Sequence, residues 1–232
     1  MATKQSQRVG IWIIAIVLTI GTIAGFIAMM IAPSNQKVDE NHIKTLTAQY
    51  QKDYTDYQAK EQAQADQLSK VYFEQFDQYA STPAVFVSGD VKELAKKDLK
   101  VGDGAEATKD SKYAVYYLGW NPAGKTFDSS ISGSALKSPL VRDSEGVWTF
   151  PGGKQGGVIE GWEKGVLGMK VGGVRELTIP ANLAYKDQGQ GEDIPANTPL
   201  KFIIMIIPAP VKLSAPQAPA ELQQYYNQQQ AQ

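Results

Sequence analysis

The sequence predicts an α+β domain in which a curved antiparallel β-sheet wraps on one short α-helix. Past Pro83 the chain breaks into short runs rich in Val, Ile, Tyr and Phe, separated by Gly, Asn, Asp and Pro, the pattern of strands and turns. One stretch in that region, around residues 159–166, reads as a helix, with Gly168 near its end as a stop. Many strands with a single short helix make an α+β layer, whereas βαβ units would alternate the two. The chain has 232 residues, room for one ordinary domain plus extra segments, since domains run to roughly 100–200 residues.

In chain order, residues 1–8 form a short leader carrying Lys4 and Arg8 and no acid. Residues 9–32 follow without a charge, long enough at about 1.5 Å per residue to cross a hydrocarbon core of about 30 Å. The run exceeds the roughly 7–15 apolar residues of a signal peptide and ends in Met29-Met30-Ile31, so it is expected to be a retained transmembrane anchor. The compact positive leader orients it with the amino terminus cytoplasmic and the domain extracytoplasmic, as a single-pass membrane protein.

Residues 34–81 are polar, free of glycine and compatible with helix, and read as a helical stalk. Ile43, Leu46, Tyr50, Tyr54 and Tyr57 recur at spacings of three and four, as one helix face requires. Lys60, Gln64 and Gln67 then interrupt the seam, and Val71, Tyr72, Phe73, Phe76 and Tyr79 resume an apolar stripe. Two readings stand: a stalk that dimerises as a short coiled coil, and a monomeric spacer whose last turns pack on the domain. The β-rich domain is expected over residues 84–210, with strands over 85–87, 94–100, 113–120, 147–150, 173–179 and 200–207. Residues 214–232 are mostly Ala, Pro and Gln and read as a disordered tail.

Several function classes drop out. A formal net charge of -1 gives no basic face for nucleic acid. Without cysteine there is no disulfide framework, thiolate nucleophile or cysteine-ligated zinc. The single histidine, His42, lies in the stalk, which excludes a histidine triad or a multi-histidine metal site in the domain. Gly152-Gly153-Lys154 lacks the spacing of a phosphate loop, and Glu192-Asp193 has too few ligands for calcium.

What remains is aromatic. The chain carries, in order, Tyr113-Ala-Val-Tyr-Tyr117, Gly124-Lys-Thr-Phe127-Asp128-Ser-Ser, Gly153-Lys154, Val158-Ile159-Glu-Gly161-Trp162-Glu-Lys-Gly165, Leu183-Ala-Tyr185 and Ile194-Pro-Ala-Asn-Thr-Pro-Leu-Lys-Phe202. These six blocks resemble the FKBP-type peptidyl-prolyl cis-trans isomerases. The resemblance implies an FKBP-like fold and an enzyme without metal or cofactor. Its ligands would be proline-containing peptides, unfolded or exported proteins and macrolides such as rapamycin.

By the same resemblance, Asp128, Tyr185, Ile159, Phe127 and Trp162 are the catalytic set, and Tyr117, Trp148, Val158 and Phe202 bind substrate. Trp162 forms the floor, while Phe127, Trp148 and Phe202 form walls. The Ile159 N–H and the Tyr185 hydroxyl donate to substrate carbonyls, and Asp128 bonds Tyr117 and faces the rotating amide. The family pattern is broken at Lys186, where glycine is usual, at Gln190, at Trp148, in the long connection over residues 131–146 and in Gly156-Gly157. A non-catalytic binding module or chaperone using the same pocket is the alternative.

Overall fold

The computed structural model of the protein describes residues 40–230. The leader and the expected anchor over residues 9–32 lie outside them. Among the described residues, no helix is long and apolar enough to cross a membrane. The described residues divide into two compact units, residues 58–213 and residues 40–57 with 214–230.

The stalk is one helix, α1 (Glu40–Asp77). Within the smaller unit, the rings of Tyr50, Tyr54 and Tyr57 meet in sequence along it at 6.2 and 6.0 Å, tilted by 47° and 46°. The tail corrects an expectation: residues 214–232 are not irregular throughout, because Ala220–Gln230 forms a helix. Gln, Ala and Glu are good helix formers and Pro219 stands where a helix starts, so a composition too polar for a core of its own still folds locally. Leu222 is buried, and within this unit Glu221 accepts from His42 at 2.9 Å.

The larger unit is built on ten strands. They are β1 (Ala95–Lys100), β2 (Tyr113–Trp120), β3 (Thr126–Ser129), β4 (Ile131–Ser132), β5 (Ala135–Leu136), β6 (Leu140–Arg142), β7 (Trp148–Thr149), β8 (Gln155–Gly156), β9 (Val174–Ile179) and β10 (Leu200–Pro208). An eight-stranded antiparallel sheet runs β1-β9-β10-β2-β6-β7-β8, with β3 also paired to β2. β2 and β10 are its centre, paired over their length from Tyr113 with Pro208 to Trp120 with Lys201. Along its other edge, β2 pairs β6 over its first three residues and β3 over its last three. Between these partners the chain leaves the sheet as the hairpin β4–β5.

Alternation sorts the central strands onto two faces. Tyr113, Val115, Ile204, Ile206, Leu177 and Ile179 face one core with a short helix, α2 (Glu160–Val166). Ala114, Tyr116, Leu118, Ile203, Met205 and Ile207 face a second core, which holds Phe76 of α1 with Leu68, Tyr72 and Phe73 packed against it. The compact domain therefore begins at Gln58 rather than at residue 84, because the last turns of α1 cover the second face. Packing of the last turns on the domain is the part of the spacer reading that appears here, except that Val71 in the expected stripe is exposed. The expected strand over residues 85–87 does not form: Val85 and Val87 are exposed, and Phe86 makes a single backbone bond, donating to Pro122.

Candidate functional site

α2 is pressed close to the sheet by two glycines four residues apart. A Cβ on Gly161 would lie 2.3 Å from Ile179 Cγ2, and one on Gly165 would lie 2.4 Å from Leu177 Cδ1. The carboxyl end of α2 is held by Arg175 on β9. Its guanidinium donates to Gly165 O at 2.8 Å and Leu167 O at 3.1 Å, and also grips Asp98 at 2.6 and 3.2 Å. Helix-terminal carbonyls that would be orphaned thus find a buried cation. Both devices fix the height and register of Trp162.

The Trp162 indole sits among aromatic edges: Tyr117 at 5.1 Å and 72°, Phe202 at 5.2 Å and 89°, and Trp148 at 6.1 Å and 71°. Phe127 meets Phe202 edge-on at 5.5 Å. This approach needs Gly119, where a Cβ would come within 2.5 Å of Phe202 and 2.8 Å of Phe127. Above the indole opens a cavity of about 320 Å³ lined by Tyr117, Phe127, Asp128, Leu140, Phe150, Gly157, Val158, Ile159, Trp162, Tyr185 and Phe202. That volume is at the small end of ligand sites, which run from about 300 to 1,000 Å³.

Its polar groups are few. The Tyr117 hydroxyl donates to Asp128 Oδ2, and the Ser129 N–H donates to Asp128 Oδ1 at 2.8 Å. Lys137 Nζ lies 3.9 Å from the same Oδ1. Burial first, then the hydrogen bond to Asp128 and the charge on it, raises the Tyr117 phenol well above its usual range. Burial and then Asp128 raise Tyr185 as well. Both phenols are therefore proton donors at neutral pH. Ile159 precedes α2 in an extended conformation, and its carbonyl accepts from Trp162 at 2.9 Å, which leaves its N–H outside the helix ladder.

Eight of the nine expected residues line one cavity; Trp148 does not. Trp148 is fully buried, edge-on to Tyr113 at 5.8 Å, and its indole N–H donates to Glu163 Oε1 at 2.5 Å. Opposite Arg142 on β6 it points into the core behind Trp162, so it supports the floor and is not a wall. Phe150, two residues on, takes the wall position. The aromatic alternation Trp148-Thr149-Phe150 was the signal for it. Leu140 and Gly157 carried no such signal. Of the departures, Lys186 holds a left-handed backbone at φ 56°, the conformation for which glycine is favoured. Asp193 pairs with Lys125 and, through its carbonyl, with Asn121, a tie between loops.

A family model described as FKBP-type peptidyl-prolyl cis-trans isomerase matches residues 104–207. FK506-binding protein of Neisseria meningitidis serogroup A is 39% identical over 114 residues, 49% of this chain and 94% of that protein. A probable FK506-binding protein of Corynebacterium glutamicum is 38% identical over 120 residues, 51% of this chain and 88% of that one. FK506-binding protein 4 of Rhizopus delemar is 38% identical over 114 residues, but this chain spans only 26% of its length.

Proposed function

Because this chain belongs to the FKBP-type peptidyl-prolyl cis-trans isomerase family, we propose that it accelerates rotation about Xaa-Pro bonds in the cavity over Trp162. The observation that carries the reading is an apolar, aromatic-walled cavity with one carboxylate at its edge and a small set of proton donors around it. An amide resists rotation by about 18–20 kcal/mol, because twisting sacrifices resonance. The twisted amide is less charge-separated than the planar one, so a dry aromatic cavity disfavours the ground state more. About 5 kcal/mol of such difference gives three to four orders of magnitude in rate.

In this mechanism the proline ring lies on Trp162 between Phe127, Phe150 and Phe202. The Ile159 N–H and the Tyr185 hydroxyl donate to substrate carbonyls on either side of the bond. Asp128, oriented by Tyr117, presents a negative oxygen to the turning amide. It removes no proton, because the reaction has none to remove. The same cavity is proposed to admit macrolides. The apolar run over residues 9–32 supports membrane anchorage with the domain extracytoplasmic, where it would assist folding of exported proteins.

The test is exchange in a short Xaa-Pro peptide, with the full chain in detergent, for wild type, Trp162→Ala and Phe127→Ala. Loss of acceleration in both variants, with circular dichroism unchanged, is the expected result. Full activity in both would refute the pocket, and a folded wild type without acceleration would leave a binding module.

A further inference from the structure

The second half of α1 covers the sheet, and it also contacts the hairpin that leads to the Lys137 beside Asp128. Ser69 is buried on its inner face, and its Oγ accepts the N–H of Leu136 at 2.8 Å, across 67 residues of sequence. Leu136 ends β5 and is itself buried. The next residue, Lys137, donates its N–H to Ser130 O at 2.8 Å. Ser130 in turn donates to Tyr117 O at 2.8 Å, and its Oγ accepts the Tyr117 N–H at 2.9 Å. Tyr117 and Lys137 are the side chains beside Asp128. The open end of the β4–β5 hairpin, where Ser130, Leu136 and Lys137 lie together, is thus held by α1 and bears on both neighbours of the carboxylate.

That hairpin cannot hold its own shape. It pairs two residues with two, Ile131 with Leu136 and Ser132 with Ala135, and an isolated two-stranded ribbon is marginal in water. Removing the Ser69 hydroxyl would leave the Leu136 N–H buried without its acceptor. A buried donor in that state is costly, and the hairpin escapes the cost by lifting towards water. Lys137 and Ser130 would move with it.

We propose that Ser69 is a positioning residue for the isomerisation, holding the β4–β5 hairpin so that Lys137 and Tyr117 keep Asp128 aimed into the cavity. The proposal rests on the reading of that cavity as the isomerase site. It makes the stalk helix a working part of the enzyme and gives the hairpin's long connection a purpose.

The experiment measures kcat and KM for an Xaa-Pro peptide, the thermal midpoint, and the Asp128 carboxyl carbon resonance by NMR at neutral pH, on the full chain. The variants are Ser69→Ala, Ser69→Thr and Lys137→Met. Ser69→Ala is expected to lower kcat/KM about three- to tenfold, mainly through kcat, and to move the Asp128 carboxyl carbon resonance. Ser69→Thr, which keeps the hydroxyl, is expected to restore both. Lys137→Met alters an exposed side chain and is expected to move the same two readouts, less than multiplicatively with Ser69→Ala.

A Ser69→Ala protein that melts earlier while keeping the wild-type kcat/KM and Asp128 carboxyl resonance would overturn the proposal. If Ser69→Ala does not fold, Lys137→Met decides, and unchanged kcat with an unmoved Asp128 carboxyl resonance overturns it. An inactive wild type would remove the isomerase reading and this proposal together, a result distinct from an active enzyme indifferent to Ser69.

Discussion

Adding one methyl group at Gly161 is predicted to weaken the fold and blunt the site together. The new Cβ would stand 2.3, 2.9 and 3.1 Å from three atoms of Ile179, a β-branched, fully buried side chain on β9 with few rotamers to retreat into. Carbon atoms rest at about 3.5–4.0 Å, so relief needs more than about 1 Å of movement by α2. Overpacking of this kind costs about 1–3 kcal/mol, and the helix propensity gained from Ala returns at most about 1 kcal/mol. The net loss of about 1–2 kcal/mol should lower the thermal midpoint by about 2–8 °C for a domain of this size. Trp162 is the next residue, so the floor moves with the helix. A misplacement of about 1 Å can cost up to about 100-fold in rate, and kcat/KM should fall at least tenfold at temperatures where the variant is fully folded. Calorimetry and peptide exchange on Gly161→Ala read the two effects. A variant with the wild-type midpoint and rate would refute the claim that close helix–sheet contact sets the floor.

At Lys186, whose φ of 56° strains any residue with a Cβ, replacement by glycine should be neutral or stabilising. Replacement by valine should cost about 1–2 kcal/mol, and urea titration orders the three. Stability should also fall in alkali. Burial pushes the Tyr113 phenol up to about 12 and raises Tyr116, Tyr117 and Tyr185 too. The folded state then holds protons that the unfolded chain releases near pH 10, so stability is flat below about pH 10 and declines from there towards 12. Tyrosinate absorbance rising together with loss of near-ultraviolet dichroism is the expected observation, and full ionisation of a still-folded protein would contradict it.

The central strands were legible because they are long and flanked by clear turns: β2 runs over residues 113–120 as expected, and β10 and β9 differ by a residue at one end. The helix that carries Trp162 was legible from the glycine near its end. The short strands β3 to β6 and β8 escaped because two to four residues carry no period. The second covered face was legible only as one of two readings of the stalk, the spacer whose last turns pack on the domain. Tyr-Ala-Val-Tyr-Tyr-Leu in β2 and Phe-Ile-Ile-Met-Ile-Ile in β10 are continuous apolar runs, which belong to strands buried on both sides. One helix cannot cover two faces, so these runs required a second layer, and the stripe of Tyr72, Phe73 and Phe76 was its complement. In the site, residue types came through the motif, but Trp148 shows its limit. The same aromatic can be wall or support, and the choice was made by the Glu163 carboxylate that captures its indole N–H.

The central claim is that proline turns on Trp162, and the most direct measurement combines exchange spectroscopy with contact detection on one sample. Under conditions where the full chain accelerates exchange of an Xaa-Pro peptide, the account predicts transferred Overhauser contacts from the proline ring protons to the Trp162 and Phe127 rings. It also predicts that Trp162→Ala abolishes both contacts and acceleration. Undiminished acceleration in Trp162→Ala, with proline contacts elsewhere on the protein, would contradict it.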